Sequence, residues 1–142
     1  MKLSVTIAPD GAADSAFVVW RGIDVSIEKA AAYSPICEYA LSLGVTILIE
    51  PVNRYEINFI NFLDEGAALM EKCQFPNCKL MPDVFHMNIE DDNINGSLTR
   101  NAKWIGYIHF ADSNRLAPGW AIWILTGYCR RLAGLNLMDG RQ

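Results

Sequence analysis

Eight consecutive residues, Asp83-Val84-Phe85-His86-Met87-Asn88-Ile89-Glu90, hold a carboxylate, an imidazole, an amide and a second carboxylate. They follow the short apolar run Leu80-Met81. A strand ending in Asp-x-x-His delivers polar ligands at the carboxyl end of a sheet, where α/β proteins place their chemistry. Two other stretches share this grammar. Residues 45–49 run into Glu50-Pro51-Val52-Asn53-Arg54-Tyr55-Glu56, and residues 104–108 run into His109-Phe110-Ala111-Asp112-Ser113-Asn114-Arg115. Three apolar runs with three polar endings imply one shared site.

Glu50, Asp83 and His109 are the first strong ligands of these endings. Two carboxylates and a neutral imidazole suit a divalent cation such as Mn²⁺, Mg²⁺ or Co²⁺, with positions left for substrate oxygens. Any one of them alone reads as a strand-terminal residue or a helix cap. Three in successive units, with the chain's only two histidines involved, favour a ligand set. Glu56, His86, Asn88 and Arg115 follow a few residues later, on the loops, and offer donors and acceptors for a polyol. Asp91 and Asp92 read as solvated surface charge. Phe59, Phe85, Trp104 and Phe110 read as core or pocket wall.

The elements that must position these residues are legible from pattern. Residues 2–7 alternate as a strand does and end at the turn signal Pro9-Asp10-Gly11. Residues 12–21 lack a clear period and read as loop. Asp24 is a good N-cap for a helical stripe that Pro35 interrupts and Gly44 ends, as one kinked helix or two half-helices. Residues 45–49 form a near-continuous apolar run, as a parallel strand buried on both faces does. Asn61 or Asp64 can cap a helix carrying Leu63, Ala67, Ala68 and Met70 and ending near Cys73. Residues 79–82 read as a strand, 97–101 as a helical turn and 104–110 as a strand. Strand and helix alternate, so the crossovers are parallel and right-handed.

At 142 residues the expectation is one domain. A net charge of -4 gives no footprint for nucleic acid or for an anionic membrane surface. No run of ~18 apolar residues exists to span a bilayer, and no signal peptide is visible. The four cysteines, Cys37, Cys73, Cys78 and Cys129, fit no strong zinc spacing. They read as reduced and structural, which implies a cytoplasmic address.

At these residues the chain resembles the sugar isomerase/epimerase family of xylose isomerase-like TIM barrels, nearest its D-tagatose or D-psicose 3-epimerase branch. The resemblance is carried by residues 49–56, 83–90 and 109–115 with Pro118-Gly119, and covers roughly residues 42–119. Residues 2–31 also resemble the family's first strand and the start of its first helix. It implies a partial (β/α)8 barrel of parallel strands: a first βα piece over 1–31, central βα units over 34–119, and an atypical tail over 120–142. It implies a divalent metal held by Glu50, Asp83 and His109, and a ketose contacted by Glu56, His86 and Arg115. It implies that Glu50 exchanges a proton at the carbon beside the ketose carbonyl through an enediolate.

Departures from the family shape the remaining expectations. A full barrel needs about 250 residues, so the second to fourth βα units are expected to be missing between residues 31 and 34. The family's second catalytic glutamate, on its last strand, has no counterpart. Trp120-Ala121-Ile122-Trp123-Ile124-Leu125 replaces the family's Gly-His-x-Asp-Phe segment. One permitted codon set for it, shifted to its third base, restores Gly-His-Leu-Asp-Phe, so the tail reads as out of frame. Three readings follow: a metal-dependent sugar isomerase or epimerase, a non-catalytic metal- or sugar-binding remnant, and a homo-oligomer in which partial barrels complete one another.

Overall fold

The computed structural model of the chain describes residues 2–7, 16–21, 34–117 and 119–121. Its strands β1 (Lys2–Ile7), β2 (Ala16–Arg21), β3 (Thr46–Ile49) and β4 (Cys78–Leu80) form one sheet in sequence order. β2 and β3 are parallel, with Trp20 opposite Ile49, and β3 and β4 are parallel, with Ile49 opposite Leu80. Helix α1 (Ser34–Ser42) lies in the first of these crossovers and α2 (Leu63–Cys73) in the second. This is the alternation that the apolar runs predict.

Two features of the first segment differ from expectation. Ala16–Arg21 is a strand, not a loop, and it has a neighbour on each side. Phe-Val-Val-Trp is rich in the β-branched and aromatic residues that strands favour. β1 pairs with β2 antiparallel, Lys2 opposite Arg21 and Ile7 opposite Ala16. The short link between them permits only a hairpin, because a parallel return needs a crossover of about a dozen residues. β1 is therefore not a parallel barrel strand. The helix expected from Asp24 and the junction expected near residues 31–34 fall outside the described residues, up to Ser34. From there α1 begins, so Pro35 stands in a first helical turn, where its missing N–H costs nothing.

Further along, most boundaries fall close to expectation. α2 starts at Phe62 rather than at a side-chain cap from Asn61 or Asp64. The Glu65 carboxylate instead accepts the backbone N–H of Asn61 (2.8 Å) and of Phe62 (3.1 Å). Asp83-to-Glu90, expected as a strand end and loop, is largely helix α3 (Val84–Glu90), so His86 and Asn88 are helical. Asn93 caps α4 (Ile94–Arg100) by accepting from the Gly96 N–H at 2.9 Å, which starts this helix earlier than the turn expected at 97–101. The expected strand over 104–110 is not a regular one. A 3-10 turn (Ala102–Trp104) is followed by two isolated parallel bridges, Ile105 to Leu80 and Asp83 to His109. Pro82 has no N–H to donate, so the ladder along β4 cannot run unbroken between those bridges.

The sheet divides two environments. Ile47 and Leu80 pack with Leu63, Ala67 and Met70 of α2, Val84 and Met87 of α3 and Ile105 in the main core; Leu63 and Leu80 are fully buried. Each such side chain contributes roughly 1.5–3 kcal/mol by leaving water. Leu48 and Met81 form a separate buried pair. Alternation along β3 sends Leu48, and two residues on Glu50, to the face opposite Ile47. Phe59, Trp104 and Phe110 pack against the main core as expected. Asp91, expected as solvated charge, is only partly exposed, and burial pushes its carboxyl pKa up; Asp92 is exposed. Cys37 and Cys78 are buried with their sulfurs 3.4 Å apart, and burial raises both thiol pKa values. From Ile122 onward the tail lies outside the described residues; Trp120 is exposed.

Candidate metal and substrate site

β3 hands on directly to Glu50, whose side chain is fully buried. β4 hands on through Met81 and Pro82 to Asp83, and the bridge between Asp83 and His109 sets those two side by side. Backbone bonds fix that pairing: the His109 N–H donates to the Pro82 carbonyl (2.9 Å), and the Val84 N–H donates to the His109 carbonyl (3.0 Å). Three chain crossings therefore converge at the carboxyl ends of adjacent strands.

The side chains meet there. His109 Nδ1 lies 3.6 Å from Glu50 Oε1, and His86 Nε2 lies 4.0 Å from Asp83 Oδ2. Glu50, Asp83 and His86 each bring one ligand atom within 4.8 Å of the others. Asp83 divides its work: Oδ1 caps α3 by accepting the Phe85 N–H at 2.9 Å, which leaves Oδ2 facing the site. The tyrosine ring of Tyr107 stands edge-on to His109, centroids 5.6 Å apart. Two carboxylates with imidazole nitrogen are a donor set that fits a hard or borderline divalent cation.

Behind this cluster sits a polar network. Glu56 Oε1 accepts from Arg115 Nη2 at 2.6 Å and from the Asn53 amide at 3.3 Å, and it lies 3.9 Å from His86 Nδ1. Arg115 also lies over the Phe85 ring, 4.2 Å from its centroid, which makes Phe85 a wall of the pocket. His86 is buried, and burial holds its pKa below the ordinary imidazole value despite the carboxylates of Asp83, Glu50 and Glu56. The exposed carboxamide residue Asn88, expected beside the site, lies on α3 and takes no hydrogen bond in this network.

Three residues quoted in the sequence motifs gain roles there that pattern did not assign. Asn53, 2% exposed, links Glu56 to His86. Glu90 takes the side chain of Arg54. Asp112, also buried, folds the 112–121 loop by accepting the N–H groups of Ser113 (2.7 Å), Gly119 (2.9 Å) and Ala121 (3.1 Å). Burial would raise its carboxyl pKa, but those hydrogen bonds hold it below the usual carboxylate range. Within the loop Arg115 adopts φ +63°, a left-handed conformation, as its side chain turns toward Glu56. The only local signal for these roles was their presence inside polar blocks.

Comparison with known proteins places this geometry. The profile of the xylose isomerase-like TIM barrel family matches residues 24–137. The chain is 36% identical over 84 residues to a D-psicose 3-epimerase of Ruminiclostridium cellulolyticum, covering 59% of this chain and 29% of that protein. It is 39% identical over 87 residues to an L-ribulose 3-epimerase of Mesorhizobium japonicum, covering 61% of this chain and 29% of that protein. A crystal structure of a D-psicose 3-epimerase in the presence of D-fructose superposes with a TM-score of 0.74 at 28% identity, over 84% of this chain and 44% of that one. The chain thus spans about three-tenths of the length of the curated relatives it matches.

Proposed function

The chain belongs to the xylose isomerase-like TIM barrel family, and we propose that it carries the cation-holding and proton-transferring side of a ketose 3-epimerase site. The observation that carries this reading is the convergence of Glu50, Asp83, His86 and His109 at the carboxyl ends of adjacent parallel strands. Similarity to 3-epimerases of two different ketoses supports a ketose as substrate.

Glu50, Asp83 and His109 would hold a divalent cation. Bound there, such a cation would draw electron density from the ketose carbonyl and its neighbouring hydroxyl and so acidify the C–H bond of the carbon that carries that hydroxyl. Glu50 takes that proton and returns it. A buried carboxylate beside the reacting carbon is placed for general-base work. Arg115 pairs with Glu56 and lies over the Phe85 ring, so the two would offer their remaining polar atoms to sugar hydroxyls in a fixed orientation. His86, buried beside the cluster, contributes a hydrogen bond to a sugar oxygen. A net change of configuration needs a second acid or base on the opposite face of the carbon. Among the described residues Glu50 stands for one face, so proton exchange is the step assigned to it.

The test is exchange of the C3 proton of D-psicose and L-ribulose for solvent deuterium, followed by proton NMR with Mn²⁺ or Co²⁺ present. Exchange that Glu50→Gln abolishes is the expected result. Cation binding with no exchange on any ketose would favour the second reading, a non-catalytic metal- or sugar-binding module.

A further inference from the structure

We infer that Asn53 is a positioning residue that fixes which nitrogen of His86 carries the proton, making His86 a hydrogen-bond donor and leaving His109 as the imidazole available to a cation. The Asn53 backbone is anchored first: its carbonyl accepts the N–H groups of Glu56 (3.1 Å) and Ile57 (3.3 Å). Its side-chain oxygen is then committed, because it accepts the Tyr55 N–H at 3.0 Å. That bond sets which end of the amide is which, the assignment that usually has to be inferred. The amide nitrogen therefore faces inward, 2.7 Å from His86 Nδ1 and 3.3 Å from Glu56 Oε1.

An amide NH₂ donates and cannot accept, so His86 Nδ1 must present a lone pair. With its Nδ1 lone pair taken by that donor the ring is not an imidazolium, so its single N–H proton sits on Nε2. A protonated ring nitrogen has no lone pair for a cation. His86 Nε2 reaches the Glu50–Asp83 cluster geometrically, yet its chemistry there is that of a donor. Among the described residues no amide fixes His109 in this way, and its Nδ1 faces Glu50. Asn53 thus separates two imidazoles of similar placement into different tasks. The tautomer stands on this geometry alone; donation to a sugar oxygen rests on the ketose reading above.

The experiment is long-range proton–nitrogen NMR of the full chain labelled with ¹⁵N-histidine, without metal, near pH 7.5. With only two histidines, His109→Gln assigns the spectrum. The expected result is an unprotonated Nδ1 and a protonated Nε2 on His86. Asn53→Asp keeps an oxygen for the Tyr55 N–H but turns an acceptor toward Nδ1, so the Nε2–H state should be lost in favour of a protonated Nδ1. Asn53→Ala should give an average of both tautomers. Adding Zn²⁺ should shift the His109 nitrogens and leave the His86 Nε2 proton in place. An Nδ1–H pattern on His86 in the unaltered chain, an averaged pattern there, or zinc coordination by His86 would each overturn the inference. The unaltered chain alone decides the tautomer if a variant fails to fold. Absence of proton exchange on any ketose would remove the catalytic reading and leave the Asn53–His86 assignment standing.

Discussion

Glu90 and Arg54 join the loop after β3 to the end of α3 through a fork of hydrogen bonds. Glu90 Oε1 accepts the Arg54 backbone N–H at 2.7 Å, and the guanidinium reaches Oε1 and Oε2 at 2.7–3.0 Å. The glutamate side chain is 1% exposed while the arginine is 55% exposed. A buried carboxylate held this way anchors the loop that carries Asn53 and Glu56 into the site.

The hydrogen bonds from Arg54 hold the Glu90 carboxyl below its ordinary pKa of 4.5. The folded value is depressed, so this contribution is fully present above about 4.5 and is lost as pH falls from there through the folded value. Glu90→Gln removes the charge at nearly constant volume and should cost about 1–3 kcal/mol at neutral pH. Urea melts at neutral pH and at pH 3.5 are the check. The stability gap between the two proteins should narrow in acid. A gap that stays constant would mean that Glu90 contributes by shape and not by charge.

Cation binding should depend on residues from three separate segments. Calorimetry with Mn²⁺ or Co²⁺ is expected to show one weak site in the unaltered chain. Glu50→Gln, Asp83→Ala and His109→Ala should each weaken it at least tenfold, about 1.4 kcal/mol, while Arg115→Gln should leave it unchanged. Undiminished binding in both Asp83→Ala and His109→Ala would remove the ligand assignment.

Gly106 is required by a close approach. A Cβ there would stand 2.7 Å from Lys79 Cβ and 2.9 Å from Leu48 Cδ2. The first of these atoms cannot move without the β4 backbone. Gly106→Ala should therefore destabilise the chain by ~1–3 kcal/mol, the usual cost of overpacking. It should also displace the segment that carries His109. A melt unchanged within error would show that the 104–109 crossing does not sit this tightly on the sheet.

Exposed apolar side chains on and just after α1 predict self-association. Ile36, Tyr39 and Leu41 of the helix and Leu43 just past its end are 47%, 68%, 49% and 60% exposed, a large apolar surface for so short a segment. Light scattering should give a mass above the 15.9 kDa of one chain. Tyr39→Glu with Leu43→Glu should move the mass toward the monomer. A monomeric unaltered chain with a cooperative melt would overturn this expectation and the partner reading drawn from it.

What the sequence determined by itself was the set of strand-to-site junctions around Glu50 and Asp83, and the helix between them. β3 and α2 fall within a residue or two of their pattern because apolar run, polar ending and helical stripe are local signals, set by side-chain period. The same is true of the polar blocks, whose residue types already named a cation and a polyol. Other features depended on neighbours that the chain order does not reveal. Ala16–Arg21 carries no alternation, so period could not distinguish it from loop, and only its pairing with β1 and β3 shows it as a strand. The run before His109 looked like a strand, yet Pro82 on the facing segment denies it a continuous ladder. Pattern counted two histidines and three carboxylates but could not say which faced which. That was decided only when the Tyr55 N–H took the oxygen of Asn53, turned its amide on His86, and left His109 beside Glu50. The first of these contacts is local, but the other two join residues more than thirty apart, and only folding brings their polar atoms together.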